Sequence, residues 1–150
     1  MKKDILANKT NITDTKALLM LLGFCTMVNL CPVYVLLTYG VHPTASVRFF
    51  DNFVGSLFIA PVVETLINQL PIVCLLCFLR VPAFFVVLIT AIVFALCHII
   101  IDPMYPLYIF YPGLIMSWAF YYFYTRCNVT VATITTIAVH ASYNFMALMA

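Results

Sequence analysis

The sequence predicts an all-α fold, a polytopic transmembrane helical bundle of about five helices, and three observations predict it. Of the 150 residues, 65% are hydrophobic and 8% charged, where a soluble domain carries roughly a quarter charged residues. Mean hydropathy is +1.11. The apolar residues come in runs of about 20, the length a helix needs to cross a bilayer, separated by short polar or proline-containing breaks. So few charges cannot cover a water-facing surface, which makes the lipid bilayer the first partner. The net charge of +2 is too small to argue for a nucleic-acid partner.

Taken in order, the first run is 17–39, preceded by a basic tail over 1–16 that carries Lys2, Lys3, Lys9 and Lys16. A secretory signal has a shorter apolar core and a small-residue cleavage site. This run is long enough to span and nothing after Gly40 reads as such a site, so it is taken as a retained helix. The second run, 53–79, stops at Arg80-Val81-Pro82. The third, 81–101, stops at "DPMYP". The fourth, 104–125, and the fifth, 128–149, are separated by Arg126 to Asn128. Breaks this short leave room only for tight helical hairpins, so residues 1–150 form a single integral membrane domain. The four lysines, Arg80 and Arg126 fall on one side and Arg48 alone on the other, which places the N-terminus inside. Tyr105, Tyr108, Tyr111, Tyr121, Tyr122 and Tyr124 bracket the fourth run as an aromatic belt would. The six cysteines lie mostly within apolar runs and support neither a disulfide framework nor a zinc site.

Three ionisable residues sit where burial costs most. Glu64, the chain's single glutamate, is in the middle of the second run; His98 is near the end of the third; His140 is central in the fifth. Such a group costs about 2.5–3.5 kcal/mol at the bilayer centre even on the lenient insertion scale, so it faces a cavity or a partner. His140 and Asn144 share a helical face at i, i+4, as do Glu64 and Asn68, and Thr65 and Gln69; Phe94 is one turn before His98. Each pair taken alone reads as an interhelical hydrogen bond, typically worth about 0.6 kcal/mol in membranes. Together they supply a carboxylate, two imidazoles and an amide, the inventory of a hydrolytic site.

The stretches "APVVETLINQ", "FALCH" and "HASYNF" resemble the three motifs of the CPBP family, the CAAX protease and bacteriocin-processing (Abi) intramembrane proteases. Those motifs are EExxxR, FxxxH and HxxxN, one on each of three helices in that order. The likeness covers roughly residues 53–146, and three motifs in order on the right segments make it fairly specific. The resemblance implies catalytic roles for four residues. Glu64 falls on the glutamate that activates water and His98 on the histidine that helps to polarise it. His140 and Asn144 fall on the implied oxyanion stabilisers. Thr65 replaces the motif's second glutamate and Gln69 its arginine. The double replacement exchanges a charged pair for a neutral one without stranding a buried charge, and Thr65, Asn68, Gln69 and Phe94 are read as supporting residues.

The implied activity is that of an intramembrane glutamic endopeptidase acting on a peptide or protein substrate, prenylated or a leader peptide, in a bacterial cytoplasmic membrane. Competing protease classes fail on the residues. There is no HExxH, Asp4, Asp14, Asp51 and Asp102 all lie outside the runs, and no GxSG surrounds Ser56. No cofactor is expected. Zinc on Glu64, His98 and His140 is the alternative, disfavoured by the lack of HxxxH ligand spacing. The remaining alternatives are a non-catalytic membrane protein that binds a peptide, as in bacteriocin self-immunity, and a structural protein whose polar residues merely join helices.

Overall fold

The computed structural model describes residues 14–39, 53–100 and 103–149. Most of the basic tail, Arg48 and Asp102 lie outside the described residues, as does the 40–52 connection. The described chain forms five helices and no strand: α1 Asp14–Tyr39, α2 Gly55–Phe78, α3 Ala83–Leu96, α4 Tyr105–Arg126 and α5 Val129–Met149.

The turns between them follow from local sequence. At the end of α2, Arg80 adopts φ 58°, while its N–H reaches the Cys77 carbonyl and that of Val81 reaches Leu76. This crossed pair is the Schellman arrangement, in which a left-handed residue lets two last-turn carbonyls find donors. Pro82 then prevents continuation and caps α3. Between α4 and α5, the Asn128 side chain accepts from the Val131 N–H at 2.9 Å, an N-cap that restarts the chain as a helix. These two turns place Arg80 and Arg126 at the same end of two antiparallel hairpins.

Burial is inverted relative to a water-soluble bundle. Ile67, Phe78, Phe84, Ile100 and Leu107 are strongly exposed, whereas Thr65, Gln69, Ser117, Thr136 and His140 are buried. Apolar outside and polar inside is the pattern of a bundle surrounded by lipid. The helices α2 and α5 (to Leu148) are long and apolar enough to cross by themselves. By contrast α3 has 14 residues, about 21 Å of helix against a hydrocarbon core of about 30 Å. The expected span over 81–101 therefore ends early, at Leu96, and residues 97–100 continue as turns.

At the centre is α4, packed against all four other helices. Phe120, Phe123, Met116 and Ala119 fill its inner face, where they meet Val73, Val86 and Val139. The first helix joins through Phe24, set edge-on to Trp118 at 5.4 Å and packed on Phe123. A hydrogen bond from the Tyr111 hydroxyl to the Met27 carbonyl adds to that contact. Close approach of α3 and α4 depends on Gly113, where a Cβ would stand 3.0 Å from the Phe94 ring and 3.4 Å from the Ala91 carbonyl.

Candidate active site

The helix that carries Glu64 is not a regular α-helix. Two π-helical turns, Gly55–Ile59 and Thr65–Gln69, flank the α-helical turn Ala60–Glu64. Each is followed two residues later by a proline, Pro61 or Pro71. Within a helix, a proline ring clashes with the carbonyl four residues back and offers it no N–H. Widening the preceding turn moves that carbonyl aside. The Ala60 N–H accordingly bonds Gly55, and that of Leu70 bonds Thr65, in the i→i−5 register. In this register Pro61 is the residue that would have served the Ser56 carbonyl. The Asn144 side chain of α5 donates to that carbonyl at 2.7 Å. Turns of this kind concentrate at functional sites.

The structure brings Glu64, His98 and His140 together from α2, the turn after α3, and α5. The Nε2 of His98 is 3.5 Å from Glu64 Oε2, and that of His140 is 3.7 Å away. The second distance is beyond a direct hydrogen bond. His98 lies past the helix end rather than within it, and its position has a local cause. Its own N–H turns back to the Ala95 carbonyl, and its Nδ1 lies 2.8 Å from the Phe94 carbonyl that an α-helical His98 N–H would have met. A carbonyl only accepts, so Nδ1 carries the hydrogen and Nε2 is the nitrogen that exchanges a proton. With Nδ1 so occupied, a bare Nε2 and an ionised Glu64 oxygen would face each other lone pair to lone pair. A proton shared between them, or a water bridging both from one side, would relieve that repulsion. Non-helical backbone at membrane depth is tolerated only where protein buries it or a watery cavity adjoins it. The early end of α3 marks such a place.

Phe94 orients both imidazoles. Its ring lies 4.9 Å from His98 and edge-on to His140 at 5.7 Å, and it is itself buried against Gly113. Tyr105, expected in an interfacial belt, is instead buried beside His98 with ring centroids 5.8 Å apart. Asn68 is buried and its Oδ1 accepts from the Cys97 thiol at 3.5 Å.

The supporting pair Thr65 and Gln69 differs from expectation. Both are completely buried, yet neither the Thr65 hydroxyl nor either end of the Gln69 carboxamide has a hydrogen-bond partner among the described residues. They therefore do not bond each other in place of the lost ion pair. Sequence reading also missed Ser56, whose contribution is a backbone carbonyl, and Gly113, whose lack of a Cβ sets the position of Phe94. The proline in "IAP" was the available signal for the first.

Zinc on Glu64, His98 and His140 would need an outer hydrogen-bond acceptor for each histidine. A metal-bound histidine donates its other N–H to a neighbouring acceptor. His98 meets this condition through Phe94, but the Nδ1 of His140 is buried with no partner among the described residues. Coordination through Nε2 would leave that N–H without a protein acceptor among the described residues. Nor does any group of three His, Cys, Asp or Glu among the described residues have a metal-binding arrangement.

Comparison with known proteins gives the family. No curated protein and no solved structure matches the chain. A family model described as "Type II CAAX prenyl endopeptidase Rce1-like" matches residues 45–146, a span that holds Glu64, His98, His140 and Asn144. The chain is therefore a member of the Rce1-like family of membrane-embedded CAAX-type proteases.

Proposed function

We propose that this protein is a metal-independent intramembrane endopeptidase in which Glu64 activates the hydrolytic water. The observation that carries the reading is the approach of Glu64 Oε2 to two imidazole Nε2 atoms, at 3.5 and 3.7 Å, inside a bundle whose outer surface is apolar. Peptide hydrolysis needs a base for water, a donor for the oxyanion and a proton for the leaving amine. Glu64 is the base. His98, with Nδ1 committed to Phe94, offers a bare Nε2 that shares the water's proton and returns it to the amine. His140 Nε2–H is the principal oxyanion donor, and one such donor in a dry site contributes about 3–4 kcal/mol. Asn144 spends one amide hydrogen on Ser56. Its second is available to the oxyanion, so its first duty is to hold α5 against the widened turn of α2.

The substrate is a peptide whose scissile bond enters the bundle near Glu64. A prenylated C-terminal peptide is the first candidate, from the family, and a leader peptide the second. The six-to-one distribution of Lys and Arg favours an N-terminus on the cytoplasmic side of the membrane. The decisive experiment is cleavage of a farnesylated CAAX peptide and of a leader peptide by detergent-purified protein, wild type against Glu64→Gln. Wild type should release the C-terminal fragment and the variant should not. If the variant binds and cuts as wild type does, Glu64 is not the base. If both bind without cutting, the protein is a peptide-binding member of the family.

A further inference from the structure

Beneath the Glu64 site lies a second polar group that the proposed chemistry does not use. The hydroxyls of Ser117 on α4 and Thr136 on α5, with both ends of the Gln69 carboxamide and the Thr65 hydroxyl on α2, are buried without a partner among the described residues. At about 1.5 Å per residue, Gln69, Ser117 and Thr136 all stand about 12–17 Å from the end that carries Arg80 and Arg126. The turn Thr65–Gln69 packs against both α4 and α5, so these residues stand at one level of the bundle. His140 is one turn beyond Thr136 on the same face, and its Nδ1 is also buried and unpartnered among the described residues. Other α5 hydroxyls behave differently: Thr133, Thr135 and Ser142 each donate to a carbonyl of the preceding turn. Thr136 is directed elsewhere.

We propose that Gln69, Ser117 and Thr136, with Thr65 and His140 Nδ1, bind a small cluster of internal water between α2, α4 and α5. Buried water typically makes about three hydrogen bonds to groups that lack other partners, and in a membrane no lipid can substitute for it. The side chains suit water well, since hydroxyls both donate and accept and the carboxamide does each at a separate atom. A water donating to His140 Nδ1 leaves the hydrogen on Nε2, the tautomer that faces Glu64. The inference rests on the hydrolase reading only for the purpose of the water, not for its presence.

The test is hydration of the full chain in detergent micelles, read by nuclear magnetic resonance cross-peaks between water and the Gln69 side-chain amide protons. Thermal unfolding of Thr136→Val and Ser117→Ala is measured alongside. Cross-peaks in wild type, with a fall of several degrees in Tm for each variant, are expected, because each substitution then removes a group bonded to water. Without water these changes would delete an unsatisfied polar atom, and Tm would rise. Absent cross-peaks, or a rise in Tm for both variants, overturns the proposal. Neither readout depends on cleavage. A protein that cuts no peptide but shows the cross-peaks keeps the water cluster and loses the protease, and the reverse result loses only the cluster.

Discussion

The helices α4 and α2 both carry prolines within the bundle and answer them in opposite ways. In α4, Pro112 lies inside an uninterrupted α-helix, buried beside Gly113. In α2, Pro61 and Pro71 each follow a turn opened into the π register. The faces they present differ in the same sense. The inner face of α4 is Ile109, Ile115, Met116, Ala119, Phe120 and Phe123, with Ser117 its one buried hydroxyl apart from the Tyr105 phenol at its start. That of α2 near the site is Thr65, Asn68 and Gln69, next to Glu64. A regular helix with an apolar face supplies packing, whereas a widened helix with a polar face supplies groups that must be satisfied from outside it. Stability should therefore answer to α4 and activity to α2.

The largest effect expected is on α2. Glu64→Ala should lower cleavage by roughly 10²–10⁴-fold, the contribution of a positioned general base, with Tm unchanged or raised because a half-buried carboxyl within the bundle has been removed. Glu64→Asp should lose roughly 100-fold, since one missing methylene draws the carboxylate back from its water. Peptide cleavage and thermal unfolding on the same preparations check both. A collapse of Tm in Glu64→Ala would end the separation of roles.

On α4 the matching change is Phe120→Ala. The ring is fully buried in the central cluster, and truncations of this kind cost about 3–5 kcal/mol. Unfolding should shift accordingly, while whatever protein remains folded should cut at the wild-type rate. An undiminished Tm would mean that the core does not stand on this face.

Between these extremes lies the altered motif pair. Thr65→Glu buries a carboxylate with no cation opposite, and an uncompensated buried charge costs about 3–5 kcal/mol. Thr65→Glu combined with Gln69→Arg supplies the partner and should recover most of that loss. The two residues make no hydrogen bond to each other now, so recovery would reflect the new pair alone. Equal Tm values for the single and double variants would show that the two positions do not couple.

Much of this contrast is legible in the sequence. Run length and composition are enough to predict five helices, because hydrocarbon thickness sets a single length scale. Three ionisable residues in apolar runs, in the order of the family motifs, pick out Glu64, His98 and His140, since so few groups are placed there without a reason. The exact end of α3 is not legible. Nothing in "FALCHIIID" requires the helix to stop at Leu96; it stops where the His98 ring replaces its own backbone N–H at the Phe94 carbonyl. The π turns are half legible. Pro61 and Pro71 announce a local disturbance, but whether a helix kinks or widens depends on neighbours such as Asn144 that lie far away in the chain. Tyr105 reads as interfacial and is buried, because a tyrosine at a helix start suits either a headgroup or a histidine ring.

Smaller is the effect of Asn144→Ala. It removes the donor at the Ser56 carbonyl, and a buried acceptor left unmet costs about 1–3 kcal/mol. If the hydrogen bond sets the pitch of the first π turn, the variant should also lose cleavage through kcat rather than KM, because Glu64 is displaced while the peptide still binds. A changed KM with kcat intact would assign Asn144 to substrate binding instead.

The smallest effect expected is none, on adding a chelator. Zinc held by Glu64, His98 and His140 would draw its ligands from α2, the turn after α3, and α5, so it tests α2 as a metal-binding helix rather than as the bearer of a base. The two histidines answer differently. His98 has the outer hydrogen bond that a ligand histidine needs, from Nδ1 to Phe94. His140 has no such protein acceptor among the described residues, so binding metal through Nε2 would place on Nδ1 an N–H that no protein oxygen described there receives. As a donor to the oxyanion the same ring is better placed, because its hydrogen then sits on Nε2 and its Nδ1 only accepts. Prolonged treatment with a strong chelator should leave the cleavage rate as it was, and added zinc should not raise it. Inhibition that zinc reverses would move Glu64 from base to ligand, with His98 and His140 as the other protein ligands and water in the fourth position.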